Sequence, residues 1–276
     1  MPIMKKSLLF SLLLFSCALA TWTQELTYRQ VDDVPYVTTT DAYRQERCRL
    51  DVYYPEGLSD CPVVVWFHGG GLTTGHKSVP AQLKEQGLVV VAVEYRLLPH
   101  VSIDACLDDA AAAVAWAFRE VSAYGGSPSK LFVAGHSAGG YLTSMIGLDK
   151  SWLQAYGLDP DSIRALVPFS PQVISHFAYR KMQGIDSLQP TIDRYAPLYH
   201  IRPDCPPYIL VTGDREHELY GRYEECAYMW RMMKLVGHQE TFIYEIQGYG
   251  HTRMRIPAFH ILLQWVAQLT GGIAKF

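Results

Sequence analysis

The residues best suited to chemistry lie in one short run, Gly135-His136-Ser137-Ala138-Gly139-Gly140. It follows the apolar stretch Leu131-Phe132-Val133-Ala134 and precedes a helix-like run from Tyr141 to Leu148. A Gly-x-Ser-x-Gly pattern between a strand and a helix marks a tight turn that lifts a serine hydroxyl clear of the backbone. Glycines on both sides are needed because a Cβ would clash where strand meets helix. The start of the helix adds a positive field where negative charge develops. The chemistry that suits such a serine is nucleophilic attack on an acyl carbon.

A second run, His68-Gly69-Gly70-Gly71, directly follows the apolar stretch Val63 to Phe67. Three glycines let the backbone N–H groups of Gly70 and Gly71 turn toward one point, and the amide of Ala138 completes a candidate oxyanion hole. One donor of that kind is worth about 3 kcal/mol in a transition state. No Gly-Lys-Ser/Thr follows these glycines, so the run is not a phosphate loop.

A serine nucleophile needs a base. Of ten histidines, only His251 sits in a glycine-flanked loop just past the last strand-like run, Thr241 to Ile246. His76, His100, His176, His200, His238 and His260 lack such a setting and are expected at the surface or at helix ends. The base in turn needs an acid to orient it. The run Tyr208 to Thr212 ends at Gly213 and is followed by Asp214-Arg215-Glu216-His217-Glu218. Any of the three carboxylates could serve.

These motifs require a scaffold of alternating strands and helices. Cys48–Tyr54, Pro62–Phe67, Leu88–Val93, Leu131–Ala134, Ala165–Val167, Tyr208–Val211 and Thr241–Ile246 read as strands, most of them continuously apolar as in a sheet covered on both faces. Ile103–Tyr124, Leu219–Val236 and Pro257–Leu269 read as helices. The alternation predicts a doubly wound α/β domain with a mostly parallel sheet. The proline-rich stretch from Pro171 to Pro207 lacks a strong strand and is expected to form a small insertion over the sheet's C-terminal edge, where ligands bind in open α/β folds.

Together the motifs resemble the α/β-hydrolase superfamily, especially small exported bacterial esterases carrying His-Gly-Gly-Gly, hormone-sensitive-lipase-like or carbohydrate-esterase-like. The resemblance covers roughly residues 48 to 270. It includes Val93-Glu94-Tyr95-Arg96-Leu97, an Asp at 108 or 109 before the elbow strand, and the terminal Gly248-Tyr249-Gly250-His251 loop. It implies the α/β-hydrolase fold and a serine carboxylic-ester hydrolase. Ser137 would attack, Gly70, Gly71 and Ala138 would hold the oxyanion, and His251 would shuttle the proton. Such enzymes place the acid as Gly-x-x-Asp, which here selects Glu216, with Asp214 as the alternative and Glu218 behind both. The resemblance implies a small or carbohydrate-linked acyl ester as substrate and neither cofactor nor metal. An arylformamidase-type amidase and a non-catalytic binding protein of the same fold are the rivals, though the latter typically lose the serine or the histidine. Arg96 with Asp108 or Asp109 is expected to be a structural ion pair.

Composition agrees with one globular domain. Of 276 residues, 49% are hydrophobic, 18% are charged, and the formal charge is −3, with no basic stripe to suggest nucleic acid. Lys5-Lys6, the apolar run to Cys17 and Ala18-Leu19-Ala20 read as a signal peptide over residues 1–20, leaving a single domain over 21–276. Its removal takes two lysines and no acid, changing the charge to −5. Export to the periplasm or medium follows, with lipidation at Cys17 as a second possibility that would bring the chain to a membrane. Five cysteines then remain (Cys48, Cys61, Cys106, Cys205 and Cys226), expected mostly as buried thiols with at most one bridge.

Overall fold

The computed structural model describes residues 26–186 and 188–272, so the leader-like segment and Cys17 lie outside the described residues. Its elements run β1 (Tyr28–Pro35), α1 (Ala42–Arg47), β2 (Arg49–Pro55), β3 (Cys61–Phe67), β4 (Val89–Val93), α2 (Ile103–Glu120), β5 (Gly126–His136), α3 (Ala138–Leu148), α4 (Lys150–Gln154), β6 (Ala165–Phe169), α5 (Phe177–Met182), β7 (Tyr208–Gly213), α6 (Arg222–Leu235), β8 (Thr241–Ile246) and α7 (Arg255–Thr270).

Eight strands form one sheet in the order β1-β2-β4-β3-β5-β6-β7-β8. β2 is antiparallel to both β1 and β4, and the pairs from β4 onward in that order (β4-β3, β3-β5, β5-β6, β6-β7 and β7-β8) are all parallel. The apolar runs become inner strands because both faces are covered. Val63, Val65 and Phe67 of β3 point into the core shared with α2, α3 and α6, whereas Val64 and Trp66 point to the opposite face, where α7 packs. Trp66 lies with its ring centroid 4.9 Å from that of Phe259 on α7.

Helix α2 is capped by Ser102, whose hydroxyl accepts from the Ala105 amide. Its Ala110–Ala113 run is buried, and small side chains there let the helix sit close to the sheet. Asp109, fully buried, takes a bidentate bond from Arg96 at 2.7 Å on each oxygen and a third bond from the Arg96 amide. Asp108 instead bonds Arg44 and Tyr156 at 2.6 Å each. The expected structural ion pair is therefore Arg96 with Asp109.

Four features differ from the sequence reading. β1 carries no hydrophobic pattern and was not foreseen, being an edge strand with mostly exposed side chains. α6 begins at Arg222 and not Leu219, since residues 218–221 are used in the loop after β7. His238 is buried within the fold, where it bonds Thr241 and the Cys205 carbonyl, whereas His176, also buried, caps α5 as expected of a helix-end histidine. Finally, all five described cysteines are buried free thiols, and the single bridge allowed for does not form. No described helix is long and apolar enough to cross a membrane.

Candidate active site

The strand ends of the parallel sheet lie in register, with Phe67 opposite both Val93 and Gly135, and His136 opposite Phe169. Each functional loop departs from this edge. Ser137 follows β5 with φ 57° and ψ −114°, a backbone region that side-chain-bearing residues rarely enter. Its amide donates to the Phe169 carbonyl at 2.8 Å, which ties the turn to β6. The flanking glycines are required by space. A Cβ on Gly139 would lie 2.1 Å from the Phe67 carbonyl oxygen, and one on Gly135 would lie 2.5 Å from the Gly139 backbone. The first turn of α3 thus rests directly on β3.

The His68–Gly71 loop passes beside the serine. A Cβ on Gly69 would touch Ser137 Cβ at 3.4 Å and the His136 ring at 3.2 Å. Gly70 and Gly71 have φ 117° and 64°, so both need the freedom of glycine. The Gly70 carbonyl turns away to accept from the amides of Thr73 and Thr74. Among the described residues, no group accepts from the amides of Gly70 and Gly71, leaving them free for a ligand oxygen. The loop is braced from behind. His68 Nε2 faces Glu94 at 3.1 Å, its ring stacks on Tyr95 at 4.4 Å, and the Tyr95 hydroxyl donates to the His68 carbonyl. Glu94 is itself paired with Arg47 and accepts from the Lys77 amide.

His251 lies against the elbow. The ring of His136 packs 4.7 Å from that of His251, and His136 Nε2 donates to the His251 carbonyl at 2.8 Å. Burial, together with the neighbouring His251 ring, lowers the His136 pKa to about 3, so His136 is neutral and acts as a donor only through this N–H.

The acid facing His251 is Glu218. Its Oε1 lies 2.6 Å from His251 Nδ1, and the Glu218 side chain is 1% exposed. Burial works against its charge, but hydrogen bonds and attraction from His251, the Leu219 amide and Ser170 prevail and lower its pKa to about 2. With Nδ1 held by the carboxylate, Nε2 is the ring nitrogen left to act as base.

Neither Glu216 nor Asp214 takes this place. Glu216 is exposed. Asp214 is committed to the turn: its carboxylate accepts from the amides of Glu216 at 2.9 Å and Gly248 at 2.6 Å. The Asp214 carbonyl accepts from both His217 and Glu218, adding a helix-like turn before the acid. That turn carries the chain around, and the longer glutamate side chain reaches back to the strand end, where Oε2 accepts from the Gly213 amide at 3.1 Å. The Gly-x-x-Asp rule assumes a chain without this turn. The signal for it was Asp214 itself, a residue type that closes such turns by accepting the amide two residues on.

Two further residues were not foreseen. Ser170, just past β6, touches both Glu218 and His251. Phe177, first residue of α5, covers the oxyanion loop: a Cβ on Gly71 would come within 2.9 Å of its ring. Phe177 thus brings part of the Pro171–Pro207 stretch against the oxyanion loop, and the stretch is anchored near its start, where Glu225 accepts from the Val173 amide at 3.0 Å. Among the described residues, no His, Cys, Asp and Glu group is arranged to hold a metal ion.

Comparison with known proteins fits this geometry. Residues 50–165 match the BD-FAE family, a span that includes the glycine loop and the elbow but ends before Glu218 and His251. Esterase LipC of Mycobacterium tuberculosis is 26% identical over 228 residues, covering 73% of this chain and 56% of that protein. Carboxylesterase NlhH from the same species is 40% identical over 101 residues, 34% of this chain and 32% of its own. The chain spans about half the length, or less, of these curated relatives. Among solved structures, a truncated carbohydrate esterase from gut microbiota superposes with a TM-score of 0.73 at 14% identity, over 90% of this chain and 98% of that one. Propionate-bound esterase Est2 of Thermogutta terrifontis gives 0.69 at 20% identity, over 88% and 96%. The sheet order, the serine elbow and these likenesses agree on one class of architecture: the chain has the α/β-hydrolase fold.

Proposed function

We propose that this chain is a serine carboxylic-ester hydrolase working through an acyl-enzyme. The observation that carries the reading is Ser137 in the strained elbow, with His251 packed on the adjacent His136 and locked to Glu218 at 2.6 Å. His251 Nε2 takes the Ser137 proton as Oγ attacks the ester carbonyl. The amides of Gly70, Gly71 and Ala138 receive the oxyanion, and the proton passes to the departing alcohol. Water, activated by the same imidazole, then frees the acid. Glu218 stays ionised and stabilises the imidazolium at each step.

A short acyl group on a carbohydrate or other small alcohol suits the site best. The Phe177 ring lies against Gly71 of the oxyanion loop, which supports a short acyl group there. Tyr220 and Tyr249, neighbours of the acid and the base in sequence, are exposed at 90% and 38% and offer ring faces to a sugar. The carbohydrate esterase among the structural neighbours supports the same substrate class. The leader-like segment supports placing this activity outside the cytoplasm.

The test is covalent labelling with paraoxon followed by peptide mass mapping, beside a panel of acetylated and feruloylated sugars, long-chain esters and formamides. A phosphoryl adduct on Ser137 and preference for the short or sugar-linked esters support the reading. A protein that takes no label, or that turns over formamides alone, contradicts it.

A further inference from the structure

Ser170 lies at the end of β6, fully buried, with φ 45°. A serine in this left-handed region is held there by its surroundings. Its amide donates to the Val211 carbonyl at 2.6 Å, and its carbonyl accepts from Arg222 Nη1 at 2.6 Å. Arg222 is also buried, in the first turn of α6. β7 and α6 therefore fix the residue from two sides.

The hydroxyl so placed meets two partners. Ser170 Oγ is 2.8 Å from Glu218 Oε2 and 2.9 Å from His251 Nδ1. Proton counting assigns the direction of both bonds. An ionised carboxylate only accepts, so the single hydroxyl proton goes to Glu218. The oxygen then has only lone pairs to offer the ring, and Nδ1 must carry the hydrogen. Nδ1–H accordingly faces two acceptors, Glu218 Oε1 and Ser170 Oγ, and no acceptor-only tautomer of Nδ1 fits.

We infer that Ser170 is a positioning residue of the Ser137–His251–Glu218 site, orienting the carboxylate and fixing the Nδ1–H tautomer of His251 through one hydroxyl. The inference rests on the proposed esterase reading for its kinetic consequence, though not for its geometry. Ser170 does not touch the reacting atoms. Its effect falls on kcat, because the imidazole must hold its tautomer while charge builds on the ring, and substrate binding makes no use of it.

Two variants separate the hydroxyl from the backbone strain. Ser170→Gly tolerates φ 45° and lacks the hydroxyl, and Ser170→Ala lacks the hydroxyl with the strain retained. Both should lower kcat on p-nitrophenyl acetate by roughly tenfold to a hundredfold, the worth of one hydrogen bond to a charged group, with KM within about twofold of the parent. The parent should also show a far-downfield proton resonance for His251 Nδ1–H, shifted or broadened in Ser170→Gly. A Ser170→Gly protein with parental kcat and an unchanged resonance overturns the inference. The resonance is read on the resting protein, so it tests Ser170 even where no ester is turned over. That outcome would count against the esterase reading instead.

Discussion

Glu218 and His251 meet at 2.6 Å although Glu218 lies five residues past the end of β7, two beyond where the Gly-x-x-Asp spacing puts an acid. The intervening turn is closed by Asp214 and packed against the histidine loop. Asp214 N donates to the Tyr249 carbonyl, and a Cβ on Gly250 would lie 2.7 Å from the His217 carbonyl oxygen. The acid loop and the base loop are thus one packed unit, and the acid is chosen by where that unit leaves a carboxylate pointing inward.

Substituting the three carboxylates separately should single out the acid. Glu218→Gln keeps the shape but loses the charge that stabilises the imidazolium, and kcat should fall by roughly 10³- to 10⁴-fold. Glu216→Gln should stay within about twofold of the parent, as an exposed side chain with no part in the site. Steady-state kinetics on one short ester checks both. Loss at Glu216 with Glu218 silent would reverse the assignment.

Most of the scaffold could be read from the chain because inner strands covered on both faces must be continuously apolar, as at Val63–Phe67 and Val89–Val93. Ser137 and His251 could be read because glycines flank them for steric reasons that survive in sequence. β1 left no such trace, since an exposed edge strand buries little and its residues are free to be polar. Glu218, Ser170 and Phe177 were hidden for another reason. Their roles depend on how loops after different strands fold onto one another, and no local period or spacing encodes that contact.

The Glu218 pKa predicts a pH dependence of stability. Folding lowers it from an ordinary 4.5 to about 2, so the unfolded chain takes up the proton first as the solution is acidified. The stabilisation from this carboxylate is present above pH 4.5 and is lost as pH falls toward 2. Thermal melting of the parent and of Glu218→Gln across that window should show the parent's advantage shrinking as pH falls. A constant gap would mean that the carboxylate gains nothing from its partners.

His136 holds the backbone of the base and does not itself exchange protons, since burial keeps it neutral. Replacing it with alanine removes one neutral hydrogen bond, worth about 1 kcal/mol, and loosens the His251 loop. The expected result is a loss of stability near that value and a fall in kcat of about threefold to tenfold. Chemical denaturation and kinetics on the same preparation check it.

Phe177 should limit acyl length. Phe177→Ala opens the space above Gly71 and should raise kcat/KM for p-nitrophenyl octanoate relative to the acetate, with acetate turnover little changed. A chain-length series measures this. An unaltered length preference would place the limit elsewhere in the Pro171–Pro207 segment.

Gly139→Ala tests the elbow's packing. The new methyl would sit 2.1 Å from the Phe67 carbonyl oxygen, a backbone atom held in the sheet. Destabilisation of about 3 kcal/mol is expected, large for a single methyl and read from denaturant unfolding.

The most direct test of the whole account is the rate of p-nitrophenyl acetate hydrolysis by the parent beside Ser137→Ala. The account predicts ready turnover by the parent and a loss of roughly 10³- to 10⁶-fold in the variant, with the fold retained. Equal rates in the two proteins would contradict it, because hydrolysis would then proceed without the serine that the elbow presents.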